Sequence, residues 1–188
     1  MEKIEGLSFS HCGIFVTDLD RMVNFYTNYL GFVVSDRGFV GQSEFAFITR
    51  NPDEHHQIVM STGRKKGEQN TIQQISFRVD NLTMMRSLYA KVCEAGDLVS
   101  LEGHALGPMS HTVALSVYFG DPDNNRVELF VDTPWYITQP TRELLDLSLS
   151  DHEIMESVEA FARKQPGFRP RSEWSEEIRK KIQAATPI

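Results

Sequence analysis

Four side chains in this sequence can bind, polarise or move protons, and strand-like alternation places them on defined faces. His11 lies between Phe9 and Phe15 and shares a face with Leu7 and Gly13. Gln74 shares a face with Ser76 and Arg78, and Glu128 sits between Arg126 and Phe130 while Val127, Leu129 and Val131 face the other way. A carboxylate in the middle of such a strand is costly unless it is paired, hydrogen-bonded or bound to a metal. His56 alternates with Ile58 and Met60. Each residue also has a plain structural reading. His11 serves as a hydrogen-bonded strand histidine, Glu128 pairs with Arg126 or Arg78, His55 and His56 form a solvated strand start, and Gln74 is polar filler. Together, equivalent faces carrying His, Gln and Glu are what a shared cleft requires.

The elements that must position these residues occur twice. The stretch from His11 to Tyr26 can be laid on the stretch from Gln74 to Tyr89, so that Val16 falls on Val79, Asp18 on Asn81 and Leu19 on Leu82. Later, Asn51-Pro52-Asp53 is echoed by Asp121-Pro122-Asp123. Each copy reads as strand, helix, then strands. Leu7 to Val16 alternates; Asp18 caps a helix bearing Leu19, Met22, Tyr26, Tyr29 and Leu30, and Gly31 ends it. Asn81 caps the second helix, which carries Leu82, Met85, Leu88, Tyr89 and Val92 before Gly96. Strands are expected at Phe32–Ser35, Glu44–Thr49 and His56–Ser61, then at Leu98–Leu101, Thr112–Phe119 and Arg126–Val131.

Neither copy has enough core to stand alone, so the two should pair. The domain expected is 1–133, with modules of about 5–70 and 71–133. Beyond Thr133 the character changes. Prolines punctuate residues 134–188, and two helices are expected, about Asp151–Lys164 and Glu173–Ala185, as a helical C-terminal extension that packs on the body or covers the cleft. The net charge of −7 argues against nucleic acid and an acidic membrane surface. Cys12 and Cys93 form no motif, no run reaches the length of a spanning helix, and the cytoplasm is the expected location.

The string from His11 to Phe32 resembles the opening of the vicinal oxygen chelate superfamily, which holds glyoxalase I, bleomycin-resistance proteins and extradiol ring-cleaving dioxygenases. Ser116-Val-Tyr-Phe-Gly-Asp-Pro-Asp-Asn-Asn-Arg-Val-Glu-Leu-Phe130 is similar to the closing motif of the extradiol group. The resemblance implies an α+β fold in which two paired βαβββ modules form an incomplete barrel around a metal cleft. It implies metal ligands at His11 and Glu128, with Gln74 standing where the extradiol group has its second histidine. It also implies an acid–base role for His56, and roles beside the metal for His111, in Gly107-Pro-Met-Ser-His111, and for Tyr118.

On that resemblance the expected activity is extradiol-type cleavage of a catechol-like aromatic diol with O2, using Fe(II) or, as the alternative, Mn(II). Two histidines and a carboxylate leave three open positions on iron, two for a chelating substrate and one for dioxygen. Gln74 offers an amide oxygen instead, a weaker and harder donor than imidazole. A glyoxalase-like isomerase and a metal-free small-molecule binding module therefore stand beside the dioxygenase. The expected partner is a small molecule with adjacent oxygens, with no nucleic acid and no membrane, and homo-oligomerisation is open.

Overall fold

The structure, a computed structural model, describes residues 8–102 and 106–185. His104 lies outside them. The first module runs β1 (Cys12–Val16), α1 (Leu19–Asn28), β2 (Val33–Val40), β3 (Ser43–Thr49) and β4 (Ile58–Thr62). The second runs β5 (Ile75–Arg78), α2 (Leu82–Cys93), β6 (Gly107–Ser110), β7 (Ala114–Gly120) and β8 (Arg126–Asp132). Both expected caps form: the Asp18 carboxylate accepts from the Arg21 N–H at 2.9 Å, and the Asn81 side chain from the Met84 N–H at 2.8 Å. Gly31 follows α1 with φ +70°, a conformation that suits glycine and turns the chain into β2.

In each module the first strand lies parallel beside the last, giving the orders β1-β4-β3-β2 and β5-β8-β7-β6. This is the expected α+β arrangement of two βαβββ modules, with no closed barrel. One expected strand moved. Leu98–Leu101 is not a strand: Gly96–Leu98 forms a 3-10 turn and only Ser100 bridges to Gly120. The second strand of that module is instead Gly107–Ser110, joined to β7 by a tight reversal in which Thr112 has φ +69°. The apolar pair Leu98 and Leu101 suggested a strand, but Leu101 stays outside the buried core.

The modules pack through their helix sides. Ile14, Val16, Ile48, Ile58 and Met60 of the first sheet share one core with α1, α2 and with Leu115, Val117, Phe119, Val127 and Leu129 of the second. Phe32 meets Phe77 edge-on at 5.4 Å, and Phe25 meets Phe119 at 6.2 Å. The opposite faces therefore turn away from the junction. On the first sheet that face carries Gly13 and Phe15, the latter 68% exposed; on the second it carries Ser76, Tyr118 and Glu128.

The remaining chain forms β9 (Trp135–Tyr136), β10 (Glu143–Leu144), α3 (Asp151–Ala162), β11 (Arg169–Pro170) and α4 (Arg171–Ala185). The two helices match expectation; the three short strands were not anticipated. β10 adds to the second sheet beside β6. Ser150 opens α3 with a reciprocal capping box with Glu153, and Ile154, Val158 and Ala162 join the core. Arg86 of α2 ties down the approach to α3 by donating to the carbonyls of Leu147 and Leu149 and pairing with Asp151. Trp135 is buried and donates its indole N–H to the Thr112 carbonyl at 3.0 Å. No helix among the described residues is long and apolar enough to cross a membrane.

Asp121 links the modules. Its carboxylate accepts from the Asp123 and Asn125 N–H groups of its own turn and from the Tyr26 hydroxyl of α1 at 3.1 Å. Burial raises its pKa from 3.8 to about 6, against the lowering effect of those hydrogen bonds. The folded state then holds this proton more tightly than the unfolded chain. The contribution of this group favours the fold at low pH and declines as pH rises from about 4 to 6, by up to about 3 kcal/mol. Urea unfolding across that window should show the decline, and Asp121→Asn should flatten it. An identical pH profile in the variant would count against the assignment.

Candidate functional site

Strand register builds the site around Glu128. In the parallel β5–β8 pair Ser76 stands opposite Glu128, and in the antiparallel β7–β8 pair Tyr118 does. Side chains at paired positions share a face, so three polar groups line up across three neighbouring strands. Glu128 is only 7% exposed. Its Oε2 accepts from the Ser76 hydroxyl at 2.5 Å and from the Gln74 amide nitrogen at 3.0 Å, and its Oε1 accepts from the Tyr118 hydroxyl. Burial, then the neighbouring Glu128 carboxylate, pushes the Tyr118 phenol well above its ordinary value. The plain pairing of Glu128 with Arg126 or Arg78 does not form: Arg126 donates to the Gln74 amide oxygen at 2.8 Å, and Arg78 pairs with Asp132 at 2.7 Å.

A relay leads away from the carboxylate. The His111 Nε2 lies 2.8 Å from the Tyr118 hydroxyl, and its Nδ1 lies 2.7 Å from the Thr141 carbonyl. A carbonyl only accepts, so Nδ1 carries a proton. The two gaps from His111 to Tyr118 and from Tyr118 to Glu128 each need a proton too. The phenol supplies one; the other resides on the imidazole or on the carboxyl group. The row is thus a path along which one proton can shift between Glu128 and His111.

Gln74, His111, Tyr118 and Glu128 line a cavity of about 460 Å³ together with Met109, Val113, Ala114, Arg126, Gln139 and Arg142. That volume suits a small molecule. Of the six residues singled out by sequence, the structure brings Gln74, Glu128, Tyr118 and His111 together here. His11 and His56 lie elsewhere, with ring centroids 4.2 Å apart. The His56 Nδ1 is 2.9 Å from that of His55, whose Nε2 reaches Asp36 at 2.7 Å. Partial burial, then His11 and His55, lowers the His56 pKa. Strand alternation set His56 on a face with Ile58 and Met60, but those two point into the core and His56 lies before β4, outside any strand. Among the described residues no group of three or more His, Cys, Asp or Glu side chains is placed to hold a metal ion.

Sequence reasoning weighed Arg126 only as an ion-pair partner of Glu128 and gave no role to Ser76, Gln139, Thr141 or Arg142. Strand parity signals the first two, since they share the Glu128 face. The last three come from the extension, where no periodicity points to the pocket.

A family model described as the glyoxalase/bleomycin resistance protein/dioxygenase superfamily matches residues 8–129. The chain belongs to this superfamily. A search of curated proteins finds none that matches. Solved structures share the fold. The fosfomycin resistance protein FosX of Listeria monocytogenes, determined with Mn(II) and sulfate, is 21% identical with a TM-score of 0.51, over 70% of this chain and 95% of that one. A glyoxylase/bleomycin resistance protein/dioxygenase domain from Frankia sp. EAN1pec is 22% identical with a TM-score of 0.52, over 70% of this chain and all of the other. Glyoxalase I of Leishmania major is 19% identical with a TM-score of 0.50, over 85% and 97%.

Removing the donor of a buried carboxylate should weaken the fold as well as the site. Tyr118→Phe is expected to lower unfolding free energy by about 1.5–3 kcal/mol, the range for hydrogen bonds to charged groups. Chemical denaturation at neutral pH measures it, and a loss below about 0.5 kcal/mol would show that the phenol bond carries little.

Proposed function

We propose that this chain is a vicinal oxygen chelate enzyme that binds a small substrate through two adjacent oxygens at a divalent-metal site on Gln74 and Glu128. The observation that carries this reading is the buried Glu128 carboxylate with an amide beside it and a proton path behind it. The donor set suits a hard divalent ion: a carboxylate and an amide oxygen favour Mn(II) over softer choices, and FosX of Listeria monocytogenes was solved with Mn(II). A half-turn of the Gln74 amide puts its oxygen next to the carboxylate, an arrangement that needs a cation between them.

His11 completes the set only from outside. It is exposed just before β1, in step with the outward-facing Gly13 and Phe15, while Glu128 lies on the face of the second sheet away from the shared core. A second copy of the chain, laying its first sheet against this pocket, brings His11 and with it His56. The metal, when bound, supplies Lewis acidity toward a chelated oxygen. The chain's own work is to hold the substrate against Glu128, to shuttle a proton through Tyr118 and His111, and to present the neutral imidazole of His56 as a base. Those steps fit a glyoxalase-like isomerisation or an addition to the substrate. One observation keeps extradiol cleavage of a catechol with Fe(II) and O2 as a second reading: His111 and Tyr118 meet beside Glu128 in the roles that the sequence resemblance implies.

Calorimetric titration with Mn(II) should give saturable binding that Glu128→Ala abolishes; unchanged binding would remove Glu128 from the site. His11→Ala and Glu128→Ala chains should each fail to bind, yet co-expressed they should recover about a quarter of the sites, because half of the randomly formed dimers hold one intact pair. No recovery would place all ligands in one chain. Ring cleavage of catechol after anaerobic Fe(II) loading and exposure to oxygen would favour the second reading.

A further inference from the structure

Arginine side chains here generally face carboxylates: Arg37 meets Glu44, Arg78 meets Asp132, Arg86 meets Asp151 and Arg169 meets Glu177. Arg50, which donates to the Leu30 carbonyl, Arg126 and Arg142 depart from that habit, and the last two line the Glu128 pocket. Neither makes an ion pair among the described residues. Arg126 lies over the Tyr118 ring, 5.2 Å from its centroid, and spends one Nη2 bond on Gln74. Its Nε is buried with no hydrogen-bond partner. Arg142 sits at the mouth, exposed, with its Nε 3.4 Å from the Met109 sulfur, a weak acceptor. Glu128 pairs with neither of them: its oxygens accept from Ser76, Gln74 and Tyr118. Two guanidinium groups against one carboxylate leave the pocket positive in a chain whose net charge is −7.

We propose that Arg126 and Arg142 together bind a negatively charged oxyacid group of the substrate, a carboxylate or a phosphonate. This rests on the reading that the Glu128 pocket is the substrate site. A guanidinium presents a planar fork of N–H donors that matches such groups, and neither fork here is taken by a carboxylate. Arg142 belongs to the extension, outside the residues 8–129 that the family model matches. The grip thus joins one arginine of the matched region to one that the extension supplies. Metal binding strengthens the grip: turning the Gln74 oxygen toward a cation frees the Arg126 Nη2 for the substrate.

The test is calorimetric titration of the full chain, treated with chelator, with methylphosphonate, with oxalate and with neutral ethylene glycol. Saturable binding of at least one anion and none of the diol is expected, weakened at least tenfold by Arg142→Ala and by Arg126→Gln. Arg142→Lys should retain more affinity than Arg142→Ala, and Arg163→Ala, at the C-terminal cap of α3 and outside the pocket lining, should change nothing. Far-ultraviolet circular dichroism melts check that the variants fold; Arg142 is exposed, so its variants read the site even if Arg126→Gln unfolds. Whichever anion binds names the oxyacid. Wild-type affinity in Arg142→Ala, or no saturable anion binding in the wild type, overturns the proposal. A parallel Mn(II) titration separates the two readings. Arginine-dependent anion binding without Mn(II) binding sinks the metal site alone, whereas Mn(II) binding with arginine-independent anions sinks the grip alone.

Discussion

A carboxylate can enter a protein interior only where donors already wait for it, and Glu128 is met from the strands on both sides of its own. Ser76 and Gln74 come from the start of β5 and Tyr118 from β7, each placed by the register that also pairs the strands. The hydrogen bonds and the sheet are thus one arrangement. Disturbing the pairing would strand the charge, and stripping the donors would load the pairing. Everything functional in the pocket is arranged around this point: the phenol and imidazole behind it, the amide beside it and the guanidinium groups at its rim.

The second governing feature is the way the modules meet. Strand alternation sorts apolar side chains to one face and polar ones to the other. The apolar faces of both sheets were used up in packing through α1 and α2 against each other. The chemistry-bearing faces consequently look outward in different directions. The wide exposure of Phe15 and Phe39 on the first sheet follows from the same geometry.

Much of this was legible in the sequence for a definite reason: period and capping are local. The alternation around His11 and Glu128, the caps Asp18 and Asn81 and the repeated strand–helix order needed no tertiary information. The floor of the pocket was legible too, because a charged residue among alternating apolar ones is conspicuous. The direction each sheet faces was not. Parity says that His11 and Glu128 avoid the core, but it does not say whether two outward faces look at one another. Thr141, Gln139 and Arg142 were invisible for a different reason. They reach the pocket through an irregular stretch with no period to read, and only the pairing of β10 with β6 carries them there.

The turn from β7 into β8 carries more than the chain reversal. Asp121 fixes its length: the Asp121 N–H donates to the Asn125 carbonyl, Asn124 takes φ +60°, and the aspartate accepts from two N–H groups of the loop. Because side chains alternate along β8, one residue gained or lost in that loop would turn Glu128 toward the apolar core and send Val127 or Leu129 to the cavity. Insertions and deletions are commonly tolerated in surface loops, but this loop should be length-invariant under selection. A library of single-residue indels across the chain would find it among the least forgiving segments, although it lies on the surface and touches no ligand.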